Sequence, residues 1–174
     1  MRVLLTILLA LVSIPLPLKS STQSSTAELT LSVVEVSRTG SIKVDIANSS
    51  TAPVRIWDED NSWGAAHWRV FLVRNGKVET FFENPRRKFT RNLPNSSELA
   101  VGGHVQRTLN INEGNWCGFN LCSSFDERGF GGRTVSFDIG DTLIVSYDVP
   151  LTYEPEIRKL NVWSGVAATI HSVK

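Results

Sequence analysis

Neither sign of charge prevails in this sequence: 18 Lys+Arg stand against 17 Asp+Glu in 174 residues. A non-specific nucleic-acid binder needs a basic face, so no nucleic acid is expected as a partner. Cysteine is scarce, with only Cys117 and Cys122, which excludes a disulfide-dense scaffold. His67, His104 and His171 show no metal-ligand spacing, so no zinc site is expected. No Gly-x-Ser-x-Gly elbow occurs, and Gly129-Phe130-Gly131-Gly132-Arg133 lacks the Lys-Ser/Thr ending of a phosphate loop. Long helical periodicity and internal repeats are missing too, which removes bundles and solenoids.

One long apolar run is present. Val3 to Leu18 follows Met1-Arg2 and leads into Lys19 and a Ser/Thr-rich patch, the layout of a secretory signal peptide. It is shorter than the roughly 20 residues of a membrane helix, and Pro15 and Pro17 interrupt it. Residues 1–27 are therefore expected to be a signal peptide, with Ser25-x-Ala27 or the serines before it as the cleavage region. Residues 28–174 are expected to form one secreted, periplasmic or cell-envelope domain, with no transmembrane span in the mature chain. Removing 1–27 takes away Arg2 and Lys19 and no acid, so the remainder stays within one charge of neutrality.

The remainder reads as strands. Leu29, Leu31 and Val33 share one face before Val34 and Val36 shift phase, which predicts a bulge. Ile42, Val44 and Ile46 alternate with Lys43, Asp45 and Ala47. Trp68, Val70 and Leu72 alternate with His67, Arg69, Phe71 and Val73, apolar on both faces, which predicts a central strand. Asn75-Gly76 predicts a hairpin returning through Val78, Thr80 and Phe82. Further strands are expected at Val105 to Ile111, Thr134 to Ile139, Thr142 to Val149, Leu160 to Trp163 and Val166 to Val173. Between Asn112 and Gly132 the alternation stops; Phe119, Cys122 and Phe125 stand three apart there and leave room for a short helix. The expected fold is all-β, an antiparallel immunoglobulin-like β-sandwich of roughly eight or nine strands with one long loop.

A resemblance supports the same fold. The runs Ile46-Ala-Asn-Ser-Ser-Thr-Ala-Pro-Val54 and Glu98-Leu-Ala-Val-Gly-Gly-His-Val-Gln-Arg-Thr-Leu109 resemble the strand, Asn-turn and Gly-turn pattern of small immunoglobulin-like sandwiches. Proteinase inhibitors of the bacillus intracellular type share that pattern. Asn61-Ser62-Trp63-Gly64 and Val162-Trp163-Ser164-Gly165 are similar to segments of uncharacterised exported proteins of planctomycete-type bacteria, a group that implies no activity. The Cys…Trp…Cys framework of antibody domains and the inhibitory loop motifs of chagasin-like inhibitors are both missing.

Two stretches are candidates for a site. The first is Pro53 to Val73, where Trp57, Trp63 and Trp68 surround Asp58-Glu59-Asp60. Trp68 falls on the Val70 and Leu72 face and is expected in the core, whereas Trp57 and Trp63 are candidates for binding. Asp58, Asp60 and Asn61 offer oxygens at short spacing, but the calcium-loop series with a distal Glu is incomplete, so a solvated turn and no metal are expected. The second stretch carries Trp116, Phe119, Phe125, Arg128 and Phe130 beside Cys117 and Cys122, which in an exported chain are expected to form a local disulfide. Aromatics and Arg are favoured at binding hot spots, and a staple lowers the entropy cost of presenting them; the same rings equally suit a satellite core. Arg86, Arg87, Lys88 and Arg91 read as a charged guard on a sheet edge. Asn48-Ser-Ser and Asn95-Ser-Ser match the glycosylation sequon, relevant only in a eukaryotic secretory host.

No catalytic set emerges and no cofactor is implied. The leading expectation is a non-enzymatic protein that binds or adheres at the cell envelope or outside the cell, its partner a protein or a glycan. The second is a proteinase inhibitor presenting a loop. The third is a carbohydrate-binding module that stacks sugar on an exposed Trp57 or Trp63.

Overall fold

The computed structural model describes residues 28–83, 93–113, 116–118, 134–151 and 158–174. The expected signal peptide, the basic run at Arg86 to Arg91, and Phe119, Cys122, Phe125, Arg128 and Phe130 lie outside the described residues.

Ten strands occur among the described residues: β1 Leu29–Ser37, β2 Ser41–Asn48, β3 Val54–Trp57, β4 Trp68–Arg74, β5 Lys77–Glu83, β6 Ser96–Leu99, β7 His104–Asn110, β8 Trp116–Gly118, β9 Thr142–Val149 and β10 Gly165–Ser172. They form a three-stranded sheet β1-β2-β7, a five-stranded sheet β10-β9-β4-β5-β8 and a two-stranded ribbon β3-β6. Every pairing between strands is antiparallel. One isolated parallel bridge, Arg55 to Val162, joins β3 to the segment before β10.

Alternation explains the best-formed strands. On β2, Ile42, Val44 and Ile46 are buried, while Lys43, Asp45 and Ala47 are only half-buried. The phase shift in β1 is a bulge: Val33 pairs with Val44 but Glu35 with Lys43, so Val34 is the extra residue and is 52 % exposed. β4 lies between β9 and β5, as its two apolar faces predict, with Trp68, Val70 and Leu72 almost wholly buried. Asn75 (φ 50°) and Gly76 (φ 72°) supply the two left-handed residues that a tight hairpin turn needs. Both larger sheets and the ribbon feed one core, which includes Ile42, Trp57, Trp68, Leu109, Phe137 and Leu143. Full burial of a Leu or Val side chain contributes about 1.5–3 kcal/mol, so the inner faces of β4 and β9 carry much of the fold.

Several expectations are corrected. On β5 the core residue is Phe81, opposite Val70, whereas Val78 is 61 % exposed. Residues 134–138 form no ladder, although Val135 and Phe137 are buried. Asn112 takes the place of a neighbouring strand: its Oδ1 accepts the Val135 N–H at 2.7 Å and its Nδ2 donates to the Val135 carbonyl at 2.8 Å. Leu160 to Trp163 make only the single bridge to Arg55. The long loop expected after Asn112 holds β8, paired with β5, and β6, paired with β3, is a further strand that no alternation predicts.

Asn48 fixes the corner between β2 and the β6–β7 turn. Its side chain is buried, donating to the carbonyls of Ala52, Leu99 and Ala100 and accepting from the Ser50 N–H and hydroxyl. A glycan on that amide is incompatible with the folded chain. Asn95, in the other sequon, is exposed.

Candidate functional site

Between β3 and β4 the chain folds on itself. Asn61, 2 % exposed, accepts the N–H groups of Trp63 (2.9 Å) and Gly64 (3.0 Å) on Oδ1 and donates Nδ2 to the Asp58 carbonyl at 3.0 Å. Gly64 is required by contact: a Cβ there would lie 1.7 Å from the Asp58 carbonyl oxygen. The three carboxylates also accept hydrogen bonds from this region. Asp58 accepts from the Ser97 hydroxyl at 2.6 Å, and Asp60 from the Asn61 amide at 3.3 Å. Glu59 Oε1 accepts from Trp68 Nε1 at 2.9 Å and from Arg107 Nε at 3.1 Å. Arg107 stands in the inward-facing row of β7 between Val105 and Leu109, and Glu59 supplies its counter-charge there. Asp58 and Asp60 thus serve the connection itself, and Asn61 has its side-chain oxygen occupied by the backbone.

An aromatic series runs outward from Trp68. Its ring meets Tyr147 at 4.8 Å between centroids, and Tyr147 stacks on Trp163 at 6.0 Å with an interplanar angle of 11°. His67 meets Tyr147 edge-on at 5.9 Å. Both His67 ring nitrogens face carbonyl oxygens, Nδ1 that of Asp148 at 2.9 Å and Nε2 that of Trp63. Burial, reinforced by the Glu59 carboxylate, pushes the Tyr147 hydroxyl well above its ordinary range, so the ring is a neutral phenol.

Trp163 is half-buried and closes one side of an open cleft of about 390 Å³. Trp57, Val149 and Val162 supply further apolar wall, and Arg158, Asn161 and Ser164 polar wall. The segment carrying Trp163 is pinned by its N–H, which donates to the Arg55 carbonyl at 2.8 Å, and by the Val162 bridge. The ring lies over Gly165, where a Cβ would come within 3.0 Å of its Cζ2. A shallower polar recess of about 170 Å³, lined by Glu35, Ser37, Ser41, Lys43 and Thr108, lies between β1, β2 and β7.

The expected site residues do not assemble as one site. Trp57 is 4 % exposed, so it is no free stacking platform; its place on β3 turns the ring into the core, and it reaches the cleft only as wall. Trp63 is half-buried and packs against the core, and Trp116 is 3 % exposed. Cys117 is buried on β8; Cys122, its expected partner, lies outside the described residues. β8 is the edge of the five-stranded sheet opposite β10, which separates Trp116 from the cleft beside β9. Among the described residues no group of His, Cys, Asp and Glu is arranged to hold a metal ion, and no helix is long and apolar enough to cross a membrane. Sequence reasoning missed Trp163, Asn161 and Arg158, whose one local signal is a Trp set between Asn161 and the Ser164-Gly165 turn. Comparison of the chain with protein-family models, with curated proteins and with solved structures finds no match in any of the three.

Proposed function

We propose that this chain is an exported, non-enzymatic β-sandwich of immunoglobulin-like type that works by binding, in the periplasm or cell envelope or outside the cell. The observation that carries the reading is the cleft beside Trp163. It is large enough for a ligand, within the usual range of about 300–1,000 Å³. Among the described residues its lining is Trp57, Trp163 and aliphatic side chains with Arg158, Asn161 and Ser164, groups suited to contact and hydrogen bonding with a ligand.

The immunoglobulin-like assignment draws on strand order. If β1, β2 and β7 are taken as A, B and E, and β10, β9, β4 and β5 as G, F, C and C′, both larger sheets follow the sequence of neighbours of that fold. Export draws on the apolar run behind Arg2, and a disulfide between Cys117 and Cys122 belongs to the same reading. Fractionation of cells expressing the full chain, with N-terminal sequencing of the product, tests export: a product in the periplasm or medium beginning near Glu28 is expected, and an intact chain in the cytoplasm overturns it. Purified product is then offered peptide, ester and glycoside substrates. Turnover of any of them abolished by cleft substitutions refutes the non-enzymatic role.

A further inference from the structure

The cleft beside Trp163 has features that narrow the chemistry of its ligand. Trp163 is held before any ligand arrives, by the N–H bond to Arg55 and by the packing of Tyr147 and Gly165 against its ring. A fixed indole costs little entropy to use as a contact surface. Asn161 and Ser164 are exposed on either side of it in sequence, and both line the cleft with it. Asn161 occupies a left-handed conformation (φ 50°), which turns the chain sharply just before the Val162 bridge, and the residue lines the cleft.

A flat aromatic wall with an amide, a hydroxyl and the Arg158 guanidinium around one open cleft matches a ligand with an apolar face and a rim of hydroxyl groups. A pyranose ring has that form: its C–H face stacks on indole while its hydroxyls exchange hydrogen bonds with amide and hydroxyl groups. An acyl chain is a poor match, because desolvating Asn161 and Ser164 without partners costs about 1–3 kcal/mol each. We infer that the Trp163 cleft is a saccharide subsite, with Trp163 as the stacking wall and Asn161 and Ser164 as hydrogen-bonding groups. This inference rests on the binding role proposed above and names the ligand class for it. It places sugar recognition on Trp163, and not on Trp57 or Trp63.

The test uses the mature chain as purified after export. It is applied to a printed array of bacterial and plant saccharides and titrated calorimetrically with cellobiose, lactose and N,N′-diacetylchitobiose. Binding to at least one array saccharide is expected, with affinity falling at least tenfold in Trp163→Ala. Because Trp163 also covers Gly165, Asn161→Gly is the second variant; glycine adopts the left-handed conformation freely, so the fold is kept while the amide is lost. A fivefold or greater loss is expected there, with an unchanged melting temperature. Failure of the folded chain to bind any saccharide, or binding indifferent to both variants, overturns the inference. If the cleft instead captures a peptide in a manner abolished by Asn161→Gly, the saccharide class is overturned and the binding role stands. Turnover of a saccharide at the cleft overturns both.

Discussion

Removing one buried carboxylate should cost stability in a way that pH reveals. Asp141 closes the turn that leads into β9, with its side chain 4 % exposed. It receives two bonds from Arg74 at the end of β4, Nε to Oδ1 at 2.8 Å and Nη2 to Oδ2 at 2.6 Å, and the Asp138 N–H at 2.7 Å. The Arg74 hydrogen bonds hold the Asp141 carboxyl below the usual aspartate range, against a desolvation cost that acts the other way. Breaking a fully buried pair costs about 3–5 kcal/mol. The Arg74 side chain is 33 % exposed, so water takes over part of its role and about 2–3 kcal/mol is expected for Asp141→Asn. At roughly 2–4 °C per kcal/mol for a domain of this size, the melting temperature should fall by about 5–10 °C at neutral pH. A lowered pKa in the folded state gives stability that is present above the unfolded value of about 3.9 and is lost as pH falls through the folded value. Thermal melts of parent and variant from pH 7 to pH 2.5 should therefore converge at the acid end. A gap of the same size at both ends, or one below about 0.5 kcal/mol at pH 7, refutes this account of the pair.

Three further outcomes follow from contacts already described. Gly64→Ala drives a methyl group into the Asp58 carbonyl and should destabilise by about 2–3 kcal/mol or more in urea denaturation; a variant as stable as the parent means the 58–64 connection is looser than its contacts imply. Asn48→Ala removes one donor from the carbonyls of Ala52, Leu99 and Ala100, of which Ala52 keeps the Ser50 hydroxyl and Ala100 the Gly103 N–H, and should cost about 2–4 kcal/mol, with Asn48→Asp worse because it sets a carboxylate against the same oxygens. If calorimetry ranks Asp as milder than Ala at neutral pH, that assignment is wrong. Glu59→Gln removes the counter-charge of Arg107 but keeps an acceptor for Trp68, so a loss of about 1–2 kcal/mol is expected, and Arg107→Met in the same background should recover part of it.

Where side chains alternate and the ladder partner is another strand, the sequence is transparent. β2, the Asn75-Gly76 hairpin, the β1 bulge and β9 all carry their pattern locally. β6 hides because its buried residues, Ser96 and Leu99, are three apart, and β8 because all three of its residues are buried. The Phe81-Phe82 doublet obscures the phase of β5, which only the register with Val70 settles. Residues 134–138 mislead in the opposite sense: they alternate as a strand does, but their bonds go to the Asn112 side chain and the Arg38 carbonyl. The cleft was less legible still. Trp163 gains its setting from Arg55, Tyr147 and Trp57, each distant in sequence, so no local pattern announces it.

The tryptophan-rich connection and the cleft are one structure seen from two sides. Trp57 joins the core on one side and walls the cleft on the other, and Glu59 anchors Trp68, against which Tyr147 packs at a tilt and in turn stacks on Trp163. Loss of ligand binding on truncating Trp57, Trp68 or Tyr147 would therefore say little about ligand contact, since a buried aromatic costs about 3–5 kcal/mol to remove and the wall falls with it. Asn161 and Ser164 are exposed, so they separate recognition from support. A binding defect in Asn161→Gly or Ser164→Ala with an unshifted melting temperature locates recognition at the cleft, whereas defects confined to destabilised variants assign the whole stretch to architecture.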